Sequence, residues 1–519
     1  MALNKNFYKG LEDILGPENV SDADIVTESY AFPIRTGTQP VDKNAYIPRY
    51  EAVTLPKDTA EVQAIVKLCN KYKVQFKASS TGWLYSDPSF PNCIKLDLRR
   101  MNRILEINEK GMFAVVQPYV IYAQLQGELM KRGLNCNITG AGSNCSALPI
   151  AAHVNLGHLS QSGSYGERNQ LGIEWVTGDG EIVRFGSLGS LGEWFCGDGP
   201  GPSLRGIIRG NTQPLGGLGV FTAAAQKVYH WPGPRTFPIE GVCPKYVPSE
   251  MPPGFMIRYL SFKNIDDLVE AVRRVGESEI GFILMGFNAA MMASNIATDN
   301  DEDLAYMKKY TDQIQGPGFL LIVAANSPND LDYKKGALEQ IIAEMGAWSL
   351  KDVEDPIIGA GFMWRFIRVT GSIRETSRAC GWGGGTVGGT DVFPLMTKYI
   401  MRTQDLKAGL IKKDLVMDDA LYPFIQSIEH GHTGHGEILI RWAPRSPDHN
   451  EKVQGMLNME ANKAAINDHF GVPHHVWSDK LHDMYGPHTS NYHLWLRKIK
   501  KAFDPNQVSE STNYISAKE

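Results

Sequence analysis

Cysteine is scarce in this chain and forms no motif. Seven cysteines, at positions 69, 93, 136, 145, 196, 243 and 380, are spread over 519 residues without a Cys-x-x-Cys spacing. An odd, scattered set argues against a disulfide framework and against a cysteine-built zinc or iron–sulfur site. It fits a reducing, cytoplasmic setting. Long apolar runs are also missing, and none approaches the roughly 20 residues of a membrane span. The first residues lack an apolar stretch ending in small residues, so no secretion signal is expected. They read as an amphipathic helix with Phe7, Leu11, Ile14 and Leu15 on one side. No excess of basic charge exists, since the formal net charge is −5, and no nucleic-acid partner is expected. A Walker-type phosphate loop is absent. One Gly-x-Gly-x-x-Gly match, Gly383, Gly385 and Gly388, follows Arg378-Ala379-Cys380 rather than a β-rich run, so it does not read as a dinucleotide fingerprint.

Glycine, by contrast, is abundant: 52 residues, many of them clustered. Clusters of this kind mark places where backbone runs close to a ligand or to itself. Apolar residues make up 43% and charged residues 21%, ordinary for a globular protein. The length exceeds one hydrophobic core and implies two or three lobes.

Residues 50–135 alternate between strand and helix signals. Strands are expected at Glu51–Leu55, Val74–Ala78, Ile94–Leu98 and Met112–Gln117. Asp58, with Glu61 three residues on, marks a helix start, and Val62, Ile65, Val66 and Cys69 recur at helical spacing. A second helix, Ile121–Arg132, stops at Gly133. This βαβ opening implies a parallel sheet with short crossovers. Residues 138–235 are rich in Gly, Ser and Asn, with strands at Ile173–Val176 and Glu181–Phe185 around the turn Gly178-Asp179-Gly180. A proline-rich stretch, His230 to Pro253, reads as a boundary. A βαβ-like pattern then restarts at Phe255–Tyr259, Ile265–Val275 and Gly281–Met285. The last residues read as helical, around Leu494, Ile499 and Phe503.

Three separated blocks carry the chemistry. The first is a strand followed by Ser79-Ser80-Thr81-Gly82-Trp83-Leu84-Tyr85. The second runs from Ile150-Ala151-Ala152-His153-Val154-Asn155-Leu156-Gly157 through Ser164-Tyr165-Gly166 to Gly178-Asp179-Gly180-Glu181-Ile182-Val183. The third is Leu204-Arg205-Gly206 with Leu218-Gly219-Val220-Phe221-Thr222. In their order and spacing, together with Tyr485-Gly486-Pro487 and Asp504-Pro505-Asn506, the chain resembles the vanillyl-alcohol oxidase and p-cresol methylhydroxylase flavoprotein superfamily. It is similar also to the D-lactate dehydrogenase branch of that superfamily. The resemblance implies FAD as cofactor and an α+β fold in two lobes. An FAD-binding domain would span 1–240, a substrate or cap domain 241–460, and a C-terminal helical segment 461–519 would return to the first domain. Small residues and backbone N–H groups suit a pyrophosphate. The cofactor contacts implied are Ser80, Thr81, Gly82, Trp83, Tyr85, Ala151, Ala152, Asn155, Gly157 and Ile182. Cys380 stands near the position where p-cresol methylhydroxylase anchors its flavin, although a buried apolar cysteine is the plainer reading. Two departures stand out. The first turn is poorer in glycine than in the family, and Gln507-Val508-Ser509-Glu510 replaces a closing Pro-Gly. Both predict altered flavin contacts or weaker FAD retention.

His430-Gly431-His432-Thr433-Gly434-His435-Gly436-Glu437 precedes a strand expected at Ile438–Trp442. If the strand begins early, His435 and Glu437 share a face. The candidate catalytic residues are Glu437, His435, His432 and His475, the last standing with His474 where phenol oxidases carry a Tyr-Arg pair. No metal is assigned, although His432, His435 and Glu437 could ligate one; a surface His-Gly loop is the other reading. The expected activity is hydride transfer from a small organic substrate, an aromatic 4-hydroxybenzyl-type compound first. The alternatives are a D-2-hydroxy-acid dehydrogenase, a non-catalytic flavin electron-transfer subunit and a His-cluster metal hydrolase. The expected partners are a small-molecule substrate and an electron acceptor, either dioxygen or a redox protein. A homodimer is left open.

Overall fold

A computed structural model of the chain describes residues 3–30, 49–82, 92–152, 157–164, 166–189, 191–194, 201–210, 213–237, 239–241, 247–248, 250–369, 384–418, 423–442, 448–449, 452–453, 460–468, 476 and 478–518. Local signals build the first sheet. Asp58 caps the helix Thr59–Tyr72, its carboxylate accepting the Glu61 N–H at 2.9 Å. The Glu61 carboxylate accepts in return from the Lys57 N–H at 2.8 Å, one residue before the usual capping-box partner. Val62, Ile65, Val66 and Cys69 face inward, and Phe7, Leu11 and Leu15 of the helix Lys5–Leu15 join the same core. The helix Thr59–Tyr72 connects two strands of a four-stranded sheet, Ala52–Thr54 and Gln75–Ser79. Cys93–Asp97 lies between them, parallel to both, and Val20–Ser21 pairs antiparallel at the edge.

The parallel element ends there. The strand expected at Met112–Gln117 forms as Phe113–Val116, but it belongs to a separate five-stranded sheet. Its order is Ile104–Asn108, Phe113–Val116, Gly219–Lys227, Gln170–Thr177 and Ile182–Arg184, antiparallel throughout. The physical reason is the short connection from Asn108 to Phe113. A tight turn joins antiparallel neighbours, whereas a parallel pair needs a long crossover. Gly178-Asp179-Gly180 makes the expected hairpin between Gln170–Thr177 and Ile182–Arg184, with Gly180 at φ +89°.

The second lobe also departs from a simple βαβ. Phe255–Ser261, the helix Ile265–Glu277 and Ile283–Gly286 follow in the expected order, yet Gly318–Ala324 inserts between the two strands and pairs antiparallel with both. Burial of both strand faces favours this insertion. Tyr259, Leu320 and Ile322 join one core, and Leu260, Phe319 and Leu321 join the other. A three-stranded antiparallel sheet adjoins it, with Thr433–Arg441 between Gly384–Asp391 and Phe424–Ile428. Gly286 lets the two sheets approach: a Cβ there would lie 2.4 Å from the Ile425 nitrogen. Met130, Leu159 and Trp231 share a core with Tyr259, Leu320 and Ile322.

Two helices, Ser478–Tyr485 and Tyr492–Phe503, lie near the C-terminus, and the second packs Leu496, Ile499 and Phe503 against the core of Trp175. Phe503 packs on Trp175, with ring centroids 4.8 Å apart. Leu481 and Tyr485 join a core with Val387, Ile438 and Ile440. Among the described residues, no helix is long and apolar enough to cross a membrane.

Candidate functional site

The strand Gln75–Ser79 runs directly into Ser80-Thr81-Gly82. Gly82 has φ +70°, a left-handed conformation that costs other residues energy, and this turns the chain. Hydroxyls gather at the turn. Ser146 donates to Ser80 at 2.6 Å, the Thr81 hydroxyl lies 3.2 Å from that of Ser146, and the Thr81 N–H reaches the same oxygen at 3.4 Å. This turn forms one wall of a cleft of about 960 Å³, open mouth included. Residues 213–216 and 218–221 line the same cleft, as do Leu98, Pro118, Cys145, Leu148, Pro149 and Ile150. Among the described residues lining it there is no carboxylate. Hydroxyl and amide donors at one end and apolar walls elsewhere suit a ligand with an anionic linker and flat, poorly hydrated parts.

The strand Thr433–Arg441 carries the other candidate residues. It begins five residues before the expected Ile438, because Gly434 and Gly436 allow Phe393 and Met396 to pack against bare backbone. The early start places His435 and Glu437 on one face, with His435 Nε2 3.6 Å from a Glu437 oxygen. That separation is an electrostatic contact rather than a hydrogen bond. His435 is fully buried, its Nδ1 2.8 Å from the Thr390 hydroxyl on the adjacent strand. The Glu437 side chain retains 12% of its exposure, so it remains reachable from outside. Gln426, in register opposite His435, donates through its side-chain amide to the Gly157 carbonyl. The turn before the strand docks on the first lobe too. Glu429 and His430 donate backbone N–H bonds to Ser160 and Gln161 at 2.8 and 2.9 Å, and Arg168 pairs with Glu429 at 2.7 Å.

Residues 50–186 match the family described as an FAD binding domain. The 4-cresol dehydrogenase [hydroxylating] flavoprotein subunit of Pseudomonas putida is 27% identical over 208 residues, 38% of each chain. Glycolate oxidase subunit GlcD of Bacillus subtilis is 26% identical over 238 residues, 45% of this chain and 46% of that one. Each match spans less than half of the relative's length. The crystal structure of p-cresol methylhydroxylase with substrate bound superposes with a TM-score of 0.75 at 16% identity, covering 98% of this chain and 96% of the other. The chain carries an FAD binding domain and has the p-cresol methylhydroxylase fold.

In this flavoprotein the cofactor is FAD, and the cleft's donor set fits it. Ser80, Thr81 and Gly82 would hold the pyrophosphate. Ala151 and Ala152 are fully buried behind the cleft wall, the Ala152 carbonyl accepting the Gly210 N–H at 3.3 Å. Ile182 is half-buried against the core of Phe76 and Val176, and is not among the lining residues. Gly157 allows the Asn137 side chain to fill the place a Cβ would take, with Oδ1 1.8 Å from it. Trp83, Tyr85, Asn155, Cys380 and His475 lie outside the described residues. His432 is exposed in the turn, and among the described residues no three His, Cys, Asp or Glu side chains converge as metal ligands. Sequence reasoning missed Ser146, Thr390, Gln426 and His158. Single polar residues give no periodic signal, and their partners lie 20 to 269 positions away. His158 is buried beside Gly157, and its Nδ1 accepts the Ile138 N–H at 3.0 Å. Burial pulls its imidazole down to about 3, so it stands neutral.

Proposed function

We propose that this flavoprotein oxidises a small organic substrate bound between the Ser80–Gly82 cleft and the His435–Glu437 face, an aromatic 4-hydroxybenzyl-type compound first. The observation that carries this reading is the pairing of His435 with Glu437 on a strand whose neighbour, Phe424–Ile428, is tied to Gly157 through Gln426. FAD, when bound, supplies the two-electron acceptor. The protein's own residues supply orientation and proton transfer. Glu437, partly reachable, takes the hydroxyl proton as the substrate carbon gives up its hydride. His435, held by Thr390 and shielded from water, steadies the carboxylate through the 3.6 Å contact. Phe424, whose ring stands edge-on to His435 at 6.1 Å, and Leu439 give that neighbourhood an apolar wall that excludes water.

One observation favours a second substrate class. Arg441 is buried and lies at the same strand parity as His435 and Glu437, so it shares their face. A guanidinium there suits a carboxylate as found in a D-2-hydroxy acid, and it suits a phenolate as well. Anaerobic mixing of the FAD-loaded protein with each class separates them. Flavin bleaching by 4-hydroxybenzyl alcohols alone supports the first reading, and bleaching by D-2-hydroxy acids alone supports the second. A flavin that neither class reduces overturns both.

A further inference from the structure

The strand that feeds the Ser80–Gly82 turn carries a buried cation. Lys77 sits 2.8 Å from the Glu510 carboxylate, with both side chains withdrawn from solvent. Glu510 belongs to the segment that replaces the family's closing Pro-Gly. That segment adds itself to the sheet edge: Ser509 bridges Phe76 in parallel, the Phe76 N–H donates to Val508 at 2.8 Å, and the Glu510 N–H donates to Phe76 at 2.9 Å. The Glu510 carboxylate accepts further from the Thr512 N–H at 2.7 Å and from its hydroxyl. Burial alone would raise this carboxyl, but Lys77 and Thr512 outweigh burial and hold it below the ordinary value. The Glu510 carboxylate is therefore ionised.

A second fastening lies ten residues earlier in the chain. The buried Lys500 ammonium donates to the Ser509 carbonyl at 2.8 Å, to Asp504 at 2.5 Å and to the Gly217 carbonyl at 2.6 Å. Asp504 in turn accepts the N–H groups of Val508 and Ser509, both at 3.0 Å. Gly217 stands between Gly216 and Leu218, which line the same cleft as Ser80–Gly82. One short segment thus grips both stretches of the cleft lining through buried charges. Buried ion pairs are poor stabilisers, because desolvation offsets most of their attraction. They do enforce geometry, since a displaced partner leaves a charge buried alone.

We propose that residues 500–512 are a staple that sets the distance between these two stretches of the FAD cleft, with Glu510 and Lys500 as positioning residues for the cofactor. The proposal rests on the assignment of that cleft to FAD. The test uses full-length protein and compares Glu510→Gln with Leu11→Ala, a core truncation in the helix Lys5–Leu15. For each variant, FAD affinity is titrated by flavin fluorescence, and the thermal midpoint of the apoprotein is recorded. Glu510→Gln should weaken FAD binding by about tenfold more than Leu11→Ala at equal loss of apoprotein stability. Equal weakening in the two would make the contact merely structural and overturn the proposal. If Glu510→Gln does not fold, Glu510→Asp withdraws the carboxylate by one methylene and should weaken FAD binding several-fold more than a core truncation that lowers the apoprotein midpoint equally. Unchanged affinity there overturns the staple. Failure of the wild-type apoprotein to take up FAD would instead overturn the cleft assignment itself.

Discussion

The Ser80–Gly82 cleft and the His435–Glu437 face are made of different materials. The cleft consists of a glycine with φ +70°, neighbouring hydroxyls and apolar walls. Its donors are neutral, so it discriminates through shape and hydrogen-bond geometry. The strand face consists of titratable side chains, with an imidazole fully buried and a carboxylate partly open. Its value lies in proton transfer and charge. Damage to the cleft should therefore appear as lost affinity for FAD, and damage to the strand face as lost rate at full FAD occupancy.

The sharpest way to break this contrast is Glu437→Gln. Flavin reduction by substrate, followed anaerobically by stopped flow, should slow by about 10²–10⁴-fold with FAD content unchanged; a wild-type rate removes Glu437 from the mechanism. His435→Ala should slow it by a similar factor, and the double variant should lose little more than either alone, as for residues acting as a unit. Additive losses would separate the two roles. Gly157→Ala tests the tie between the regions. Its methyl would meet the Asn137 side chain, a clash expected to cost about 1–3 kcal/mol, read as a lower denaturant midpoint. An unchanged midpoint would mean that Asn137 moves aside freely.

A pH experiment has a similar magnitude. His158 has its folded value pulled down to about 3 from an ordinary 6.5, so the unfolded chain takes up the proton first as pH falls. The stability it contributes is complete above pH 6.5 and is lost as pH drops from 6.5 toward 3. Between pH 7 and 5 this amounts to about 2 kcal/mol. His158→Gln should flatten the slope of urea stability against pH in that window, and an unaltered slope would refute the neutral, buried imidazole. Smallest is Gly82→Ala. Forcing a side chain into the left-handed region costs about 1–2 kcal/mol, so FAD should bind about tenfold more weakly while the reduction rate per bound flavin stays the same. A fall in that rate would mean the turn also shapes the reacting end.

Legibility in the sequence followed the range of each signal. Asp58 with Glu61, the hairpin Gly178-Asp179-Gly180, the Ser79–Gly82 turn and the alternation through His435 and Glu437 are all local, and each formed near its expected position. The ordered blocks between Ser79 and Thr222 also pointed to FAD, through their resemblance to the flavoprotein superfamily. His432 shows the limit of that reading. It shares the glycine-rich segment with His435, yet it falls in the exposed turn while His435 is buried by Thr390 and Phe424 from other strands.

By itself the sequence determined which segments become helix or strand and where the chain turns. These depend on backbone preferences and side-chain periods that act over a few residues. Only the tertiary structure decided that Phe113–Val116 leaves the parallel sheet, that Gly318–Ala324 splits the second βαβ unit and that Glu510 closes on Lys77, 433 positions earlier. Such pairings are chosen by the summed burial and hydrogen bonding of the whole chain, in which each local segment is compatible with several partners and only the complete packing favours one.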